Sequence, residues 1–255
     1  MNIVGVIPAR LSSSRLPNKP LADINGITMV GHVYFRSKLS NVLNEVYVAT
    51  CDQEIVDYCD SIRAKAIMTD DTHERASDRT AEAILKIEET TGMEVDIVVM
   101  IQGDEPMITP EMVDLAVNPV IENPDIHVTN LMGRILTVEE FEDPAEVKVV
   151  VDNRDNALYF SREPVPSRKK GITEVPMFKQ VCIIPFRKEF LMKYNQMEQT
   201  PLEVIESIDM NRIIENGIPV KMVRTDELTY SVDTQEDLET VRRKMLNDPL
   251  ITKYS

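Results

Sequence analysis

Short apolar runs alternate with segments of helical period along most of this chain, and that rhythm carries the first structural inference. Runs of strand length bounded by turn residues lie at Asn2 to Ile7, Glu45 to Thr50, Asp96 to Ile101 and His127 to Leu131. Further ones lie at Val147 to Val151, Val181 to Ile184 and Val220 to Arg224. Between many of them the apolar spacing shifts from a period of 2 to that of a helix. Helix starts are also written locally. Thr50 with Gln53 reads as a capping box opening a helix through Ser61, and Thr109 before Pro110 as an N-cap with proline in the first helical position. Thr200, Pro201 and Glu203 open a helix that closes near Gly217, and Gln235 to Met245 forms the last one.

Strand and helix alternating through the first half predict an α/β protein with a three-layer, Rossmann-like arrangement: a mostly parallel, twisted sheet with helices on both faces. Ligands then belong at the carboxyl ends of the strands. From about Thr129 to Pro185 the pattern changes to strands joined by proline-rich connections, and Ser167 to Gly171 reads as an exposed loop. Approximately residues 130–190 therefore read as an inserted β-rich arm within a single domain spanning 1–255. An arm that cannot bury both faces alone predicts a homodimer interface.

Composition narrows the function. With 28 basic against 43 acidic residues the net charge is -15, and no Lys/Arg-rich block interrupts it. Such a surface repels nucleic acid and anionic lipid, so an anionic ligand needs a local gathering of cations. No stretch approaches the length of a membrane span, and the N-terminus begins directly in a strand without a signal-peptide pattern. The odd set Cys51, Cys59 and Cys182, without CxxC spacing, fits buried, reduced thiols and a cytoplasmic setting. His32, His73 and His127 lack metal-ligand spacing and read as structural, with His73 the strongest candidate for another role.

The local gathering of cations follows the first strand. Arg10, Arg15 and Lys19 fall within ten residues of its carboxyl end, among small serines that let backbone N–H groups approach an anion. A triphosphate suits that loop, although a solvated loop with surface ion pairs would also fit the spacing. The third strand ends in Gln102-Gly103-Asp104-Glu105-Pro106, which delivers Asp104 to the edge where ligands collect. Mg²⁺ takes one or two carboxylates and fills the rest of its shell with phosphate and water, so Asp104 is a first metal ligand. Glu105, before a proline, reads equally as a turn-shaping residue. On a continuous helix Glu206 and Asp209 share a face with Leu202, Ile205 and Ile213. They would bind sugar hydroxyls there, or pair with Arg162 or Arg212. Arg162 itself suits an acidic group of a ligand, because a guanidinium matches a carboxylate bidentately.

Four segments together, IPARLSSSRLPNKPL with INGITMVGHV, VVMIQGDEPMI, VKVVVDNRDNALYFSR and SVDTQEDLETVR, resemble in content and order the 3-deoxy-manno-octulosonate (KDO) cytidylyltransferases. The resemblance covers roughly Asn2 to Met245. It implies a nucleotidyltransferase that moves CMP from CTP to the anomeric hydroxyl of a KDO-like sugar acid with Mg²⁺. It also implies Asp233 as the second metal ligand, a residue that sequence alone reads equally as a helix cap, with Arg10 and Lys19 taking part in catalysis. For the nucleotide it implies Pro8, Ala9, Arg10, Ser13, Arg15, Lys19, Arg75, Ala76, Ser77, Arg79 and Gln102. For the acceptor it implies Gln102, Arg162, Gln180, Glu206 and Asp209. The chain departs from the family's pattern at Asp209-Met210, where a Glu-Gln pair is usual, and at Gln180-Val181-Cys182, where a His comes before a glycine-containing strand. It departs again at His73 to Arg79, where Ser-Gly-Thr is usual. Those departures imply a related or modified sugar acid as acceptor. The competing readings are a cytidylyltransferase for nonulosonates and a non-catalytic CTP-binding protein.

Overall fold

The computed structural model describes residues 1–12, 15–172 and 174–254. The first half alternates as its periodicity predicts: β1 (Ile3–Ala9), a short β2 and β3 pair (Asp23–Ile24 and Ile27–Thr28), α1 (Met29–Lys38), β4 (Glu45–Thr50), α2 (Gln53–Ser61), β5 (Ala66–Met68), α3 (Ala76–Thr91), β6 (Ile97–Ile101) and α4 (Pro110–Glu122). The second half runs through β7 (Thr129–Arg134), α5 (Val138–Glu142), β8 (Lys148–Val151), β9 (Ala157–Ser161), β10 (Phe178–Val181), β11 (Ile183–Arg187), α6 (Lys188–Asn195), α7 (Pro201–Glu206), α8 (Met210–Glu215), β12 (Lys221–Thr225) and α9 (Gln235–Met245). No helix among the described residues is long and apolar enough to cross a membrane.

The main sheet has the order β11-β6-β1-β4-β5. Its β1, β4, β5 and β6 are parallel, and β11 runs antiparallel along the edge beside β6. Alternate side chains divide between two cores, as a buried parallel sheet requires. Ile3, Ile7, Val46, Val48, Ile97 and Val99 pack under α1, α2 and α4. Val4, Val6, Tyr47, Ala49, Val98 and Met100 pack against α3, α6 and α8 on the other face. This is the three-layer α/β arrangement expected.

A second five-stranded sheet, in the order β12-β7-β10-β8-β9, is antiparallel except where β12 runs with β7. It takes β7, β8, β9 and β10 from the stretch read as a β-rich arm and adds β12. The run expected as one strand at Val181 to Ile184 is two strands that change sheets at Cys182, from β10 in the second to β11 in the first. Val149, Phe160 and Met222 join the same core as Val98 and Met100.

Two helix expectations are corrected. The capping box at Thr50 is absent: Thr50 ends β4, its hydroxyl accepts the Asp52 N–H at 3.1 Å, and Asp52 is the N-cap of α2. The single helix expected from Thr200 to Gly217 is two, α7 and α8, with Ser207 between them in the left-handed region at φ 54. The break resets the helical phase, so Leu202 and Ile205 are exposed while Ile208 and Ile213 are buried.

Candidate active site

Two adjoining hollows open over the carboxyl ends of β1 and β6, and they share a wall. One, of about 370 Å³, is bounded by Pro8, Ala9 and Arg10 of the β1 loop, by His73 and Arg79, and by Gly103. The other, of about 450 Å³, lies toward the second sheet and is bounded by Glu146, Arg162, Lys179, Gln180 and Asp209. Arg15, Gln102, Asp104 and Asp233 face both. The cleft therefore has a cation-rich lobe, a mixed-charge lobe, and a pair of aspartates at their junction.

Asp104 arrives there because β6 is an unbroken apolar strand that ends one residue before Gln102. Asp233 arrives by a longer route. Val232, Leu238, Val241 and Met245 pack with Leu16, Ile24 and Met29 in a third, smaller core that binds α9 to the segment after β1. The Val232 N–H then donates to the Asp104 carbonyl at 2.9 Å. Capping of α9 falls to Thr234, whose hydroxyl accepts the Asp237 N–H at 3.2 Å while the Asp237 carboxylate accepts the Thr234 N–H at 2.8 Å. The Asp233 side chain is left to the cleft.

Both aspartates converge on one cation. The Lys19 Nζ donates to Asp104 Oδ2 at 2.9 Å and to Asp233 Oδ1 at 3.0 Å, and Arg15 meets the same Asp233 oxygen at 3.0 Å. Burial pulls the Lys19 pKa down, but Asp104 and then Asp233 outweigh it and hold the ammonium above its ordinary value. Among the described residues no group of three or more His, Cys, Asp or Glu converges on one point. Two carboxylates facing an open phosphate-sized lobe suit an oxygen-seeking divalent cation that completes its shell from ligand and water. They do not suit a cage built wholly of protein.

The remaining expected residues divide. Arg10 is exposed at the mouth of the cation-rich lobe. Arg79 is buried, gives one nitrogen to Thr69 and to the Asp70 carbonyl, and leaves its second terminal nitrogen without a partner. Ala76 lines both lobes as the first residue of α3. Ser77 does not face the nucleotide lobe: it is fully buried, with its hydroxyl on Asp209 at 3.1 Å. Arg75 stands between the lobes, paired with Asp209 and, at 2.9 Å, with the buried Glu203. Arg212 grips that same Glu203 bidentately at 2.6 and 2.7 Å. Ser13 lies outside the described residues.

On the acceptor side, Glu206 is turned away from the open wall. Its carboxylate accepts from the Tyr159 and Ser161 hydroxyls and the Arg162 N–H, each at 2.8 Å. Arg162 lines the lobe, but its guanidinium is committed to the carbonyls of Glu206, Pro144 and Ser207, so a bidentate grip on a ligand carboxylate would have to displace them. Gln180 donates to Asn130 at 2.6 Å and lines the lobe together with Asp209. His73 pairs with Glu82 at the rim of the nucleotide lobe.

Sequence reading missed Lys179 and Asp52, and left the role of Glu105 open. Lys179, buried in the lobe wall, bridges Glu140 at 2.9 Å and Glu146 at 3.0 Å. Its strand reads Phe-Lys-Gln-Val, half polar, so no local pattern marked the lysine. Asp52 accepts the Leu11 N–H at 2.7 Å and so anchors the loop after β1. Glu105 is buried in the wall of the acceptor lobe, with Oε1 on the Cys182 N–H at 3.0 Å and Oε2 without a partner. Burial, reinforced by the neighbouring Asp104, pushes its pKa up to about 7 against the opposing Cys182 N–H. Cys182, expected to be buried and inert, lines the lobe half-buried, and burial with the surrounding carboxylates keeps its thiol protonated.

A cation-rich lobe and a mixed-charge lobe joined at paired aspartates, on this three-layer fold, have the layout of a nucleotidyltransferase. The cytidylyltransferase family profile matches residues 4–227. The 3-deoxy-manno-octulosonate cytidylyltransferase of Trichlorobacter lovleyi is 37% identical, with 96% of this chain and 99% of that protein aligned. The one from Fusobacterium nucleatum is 41% identical, over 94% and 96%. A solved CMP:2-keto-3-deoxy-manno-octonic acid synthetase, complexed with CTP, superposes with a TM-score of 0.88 at 38% identity, covering 96% of this chain and 98% of that one. The chain belongs to the 3-deoxy-manno-octulosonate cytidylyltransferase family.

Proposed function

We propose that this enzyme transfers CMP from CTP to the anomeric hydroxyl of a KDO-type 3-deoxy sugar acid, releases pyrophosphate, and uses Mg²⁺ held by Asp104 and Asp233. The observation that carries the reading is the placing of both aspartates on the wall shared by a cation-rich lobe and an acceptor lobe. The acceptor hydroxyl attacks the α-phosphorus in line, and the bond to the bridging oxygen of pyrophosphate breaks. Arg10, Arg15 and Lys19 bind the β- and γ-phosphates and take up the charge that develops on the leaving group. Gln102, facing both lobes, orients the acceptor beside the α-phosphate. Mg²⁺, when bound, supplies charge neutralisation and Lewis acidity at the phosphoryl oxygens.

Arg75, Gln180 and Asp209 all line the acceptor lobe, and all stand where the sequence departs from the family's pattern. That supports a related or modified KDO as the preferred acceptor. A cytoplasmic setting is supported by the free thiols of Cys51, Cys59 and Cys182. A homodimer is supported by β9, an edge strand of the second sheet that exposes Leu158.

The test is pyrophosphate release with CTP or UTP against KDO, substituted KDO acids and nonulosonates. CTP with a 3-deoxy-octulosonate should turn over fastest. Faster turnover of a nonulosonate would move the acceptor class, and silence with every acid despite CTP binding would make the protein a sensor.

A further inference from the structure

Lys19 occupies the point at which the two metal-binding carboxylates meet. Its ammonium donates to Asp104 at 2.9 Å and Asp233 at 3.0 Å, and Arg15 adds a contact of 3.0 Å to Asp233. Two negative and two positive charges make this quartet neutral. A divalent cation added to it would sit against two cations at contact distance, a strongly repulsive arrangement in a partly dry cleft. Both cations have somewhere else to go, because they belong to the loop that lines the nucleotide lobe.

The backbone makes that exchange simple. Lys19 begins a 3-10 turn, Lys19–Leu21, fixed by Leu21 N–H to the Asn18 carbonyl at 2.9 Å and Ala22 N–H to the Lys19 carbonyl at 3.1 Å. Its main chain is held, so only the four-carbon side chain has to turn once the two ion pairs are released. Arg15, with 58% of its side chain exposed, moves at little cost. A triphosphate in the lobe offers both cations better-matched oxygens, and their departure uncovers the aspartates.

We propose that Lys19, assisted by Arg15, is a placeholder cation that closes the Asp104–Asp233 metal site until a nucleoside triphosphate draws it away, so that metal and nucleotide bind interdependently. The proposal rests on the reading that these two aspartates hold the metal, and its test separates the two.

Mn²⁺ binding is measured by electron paramagnetic resonance on the nucleotide-free enzyme, for the wild type, Lys19→Gln and Lys19→Gln with Asp104→Asn. The wild type should bind Mn²⁺ weakly, Lys19→Gln at least ~10-fold more tightly, and the double variant as weakly as the wild type. Wild-type binding as tight as that of Lys19→Gln, abolished by Asp104→Asn, would overturn the placeholder role and leave the metal site standing. Binding in Lys19→Gln that survives Asp104→Asn would overturn the metal site and the placeholder with it. Should Lys19→Gln fail to fold, Arg15→Gln, exposed and remote from the cores, carries the same comparison with a smaller tightening.

Discussion

Asp104 and Asp233 both reach the Lys19 ammonium, at 2.9 and 3.0 Å, by two different routes. Asp104 follows an all-apolar strand by three residues, so strand geometry alone delivers it to the ligand edge. Asp233 lies 129 positions later and only the third core brings it there, an event no local pattern encodes. Asp104→Asn keeps the shape and removes the charge. Its kcat in pyrophosphate release should fall by about 10²–10³-fold, the usual cost of losing one electrostatic element of a transition state. Undiminished turnover would remove Asp104 from the mechanism. Glu105 makes a different prediction. With its pKa pushed up to about 7, it keeps its proton in the folded state while the unfolded chain ionises near 4.5. Below about pH 4.5 both states are protonated and it costs nothing. As pH rises toward 7 the folded state is progressively penalised, and above that the penalty is complete. Glu105→Gln keeps the acceptor for the Cys182 N–H and removes the ionisation. Its melting temperature should gain on the wild type between pH 5 and pH 8, and a constant difference would mean that Glu105 ionises normally.

Elements were readable where one pattern served one environment. The strands β1, β4 and β6 are buried on both faces, so their apolar runs were complete and their positions came out within two residues. The failures are where tertiary contacts override local signals. Nothing in Glu206-Ser207-Ile208-Asp209 announces a break, since it contains neither glycine nor proline. The break follows instead from Glu203 being drawn into full burial by Arg212 and Arg75, with Asp209 held by Arg75. Likewise Thr50, with Gln53 three residues on, spelled a capping box, yet Thr50 was taken by the end of β4 and Asp52 caps α2. The element with most leverage on the site is α9, because its packing fixes Asp233. Leu238→Ala should cost about 2–5 kcal/mol, as buried leucine truncations do, and should also lower kcat at temperatures where the protein stays folded. Ile87→Ala, equally buried but near the far end of α3, should cost a similar amount and leave kcat unchanged. Equal effects of the two on kcat would show that α9 contributes stability alone.

Over the whole molecule, an acidic chain of net charge -15 binds a polyanion by concentrating its exceptions. Arg10, Arg15, Lys19, Arg75 and Arg79 line one lobe, so the repulsive general field is countered locally where the proposed function seats the phosphates. That much was legible, because the cations cluster in sequence. The relation of the second sheet to the first was not, since the hinge at Cys182 lies inside a single apolar run. What the second sheet leaves uncovered leads to the last prediction. Its β9 is an edge strand with Leu158 59% exposed, and α7, which follows in the same half, shows Val204 at 58% and Ile205 at 75%. The outer edge of β9 is partly covered, since Asn211 takes both backbone groups of Phe160 and the Val220 carbonyl accepts the Ala157 N–H, so it is the exposed apolar side chains that invite association, and a closed twofold pair is the commonest way to cover them. Sedimentation velocity at micromolar concentration should therefore give twice the chain mass. Leu158→Arg should shift it toward the monomer without changing the far-ultraviolet circular dichroism, because this side chain belongs to none of the three cores. A wild-type protein that sediments as a monomer would overturn the dimer, and a Leu158→Arg variant that remains dimeric would move the interface away from β9.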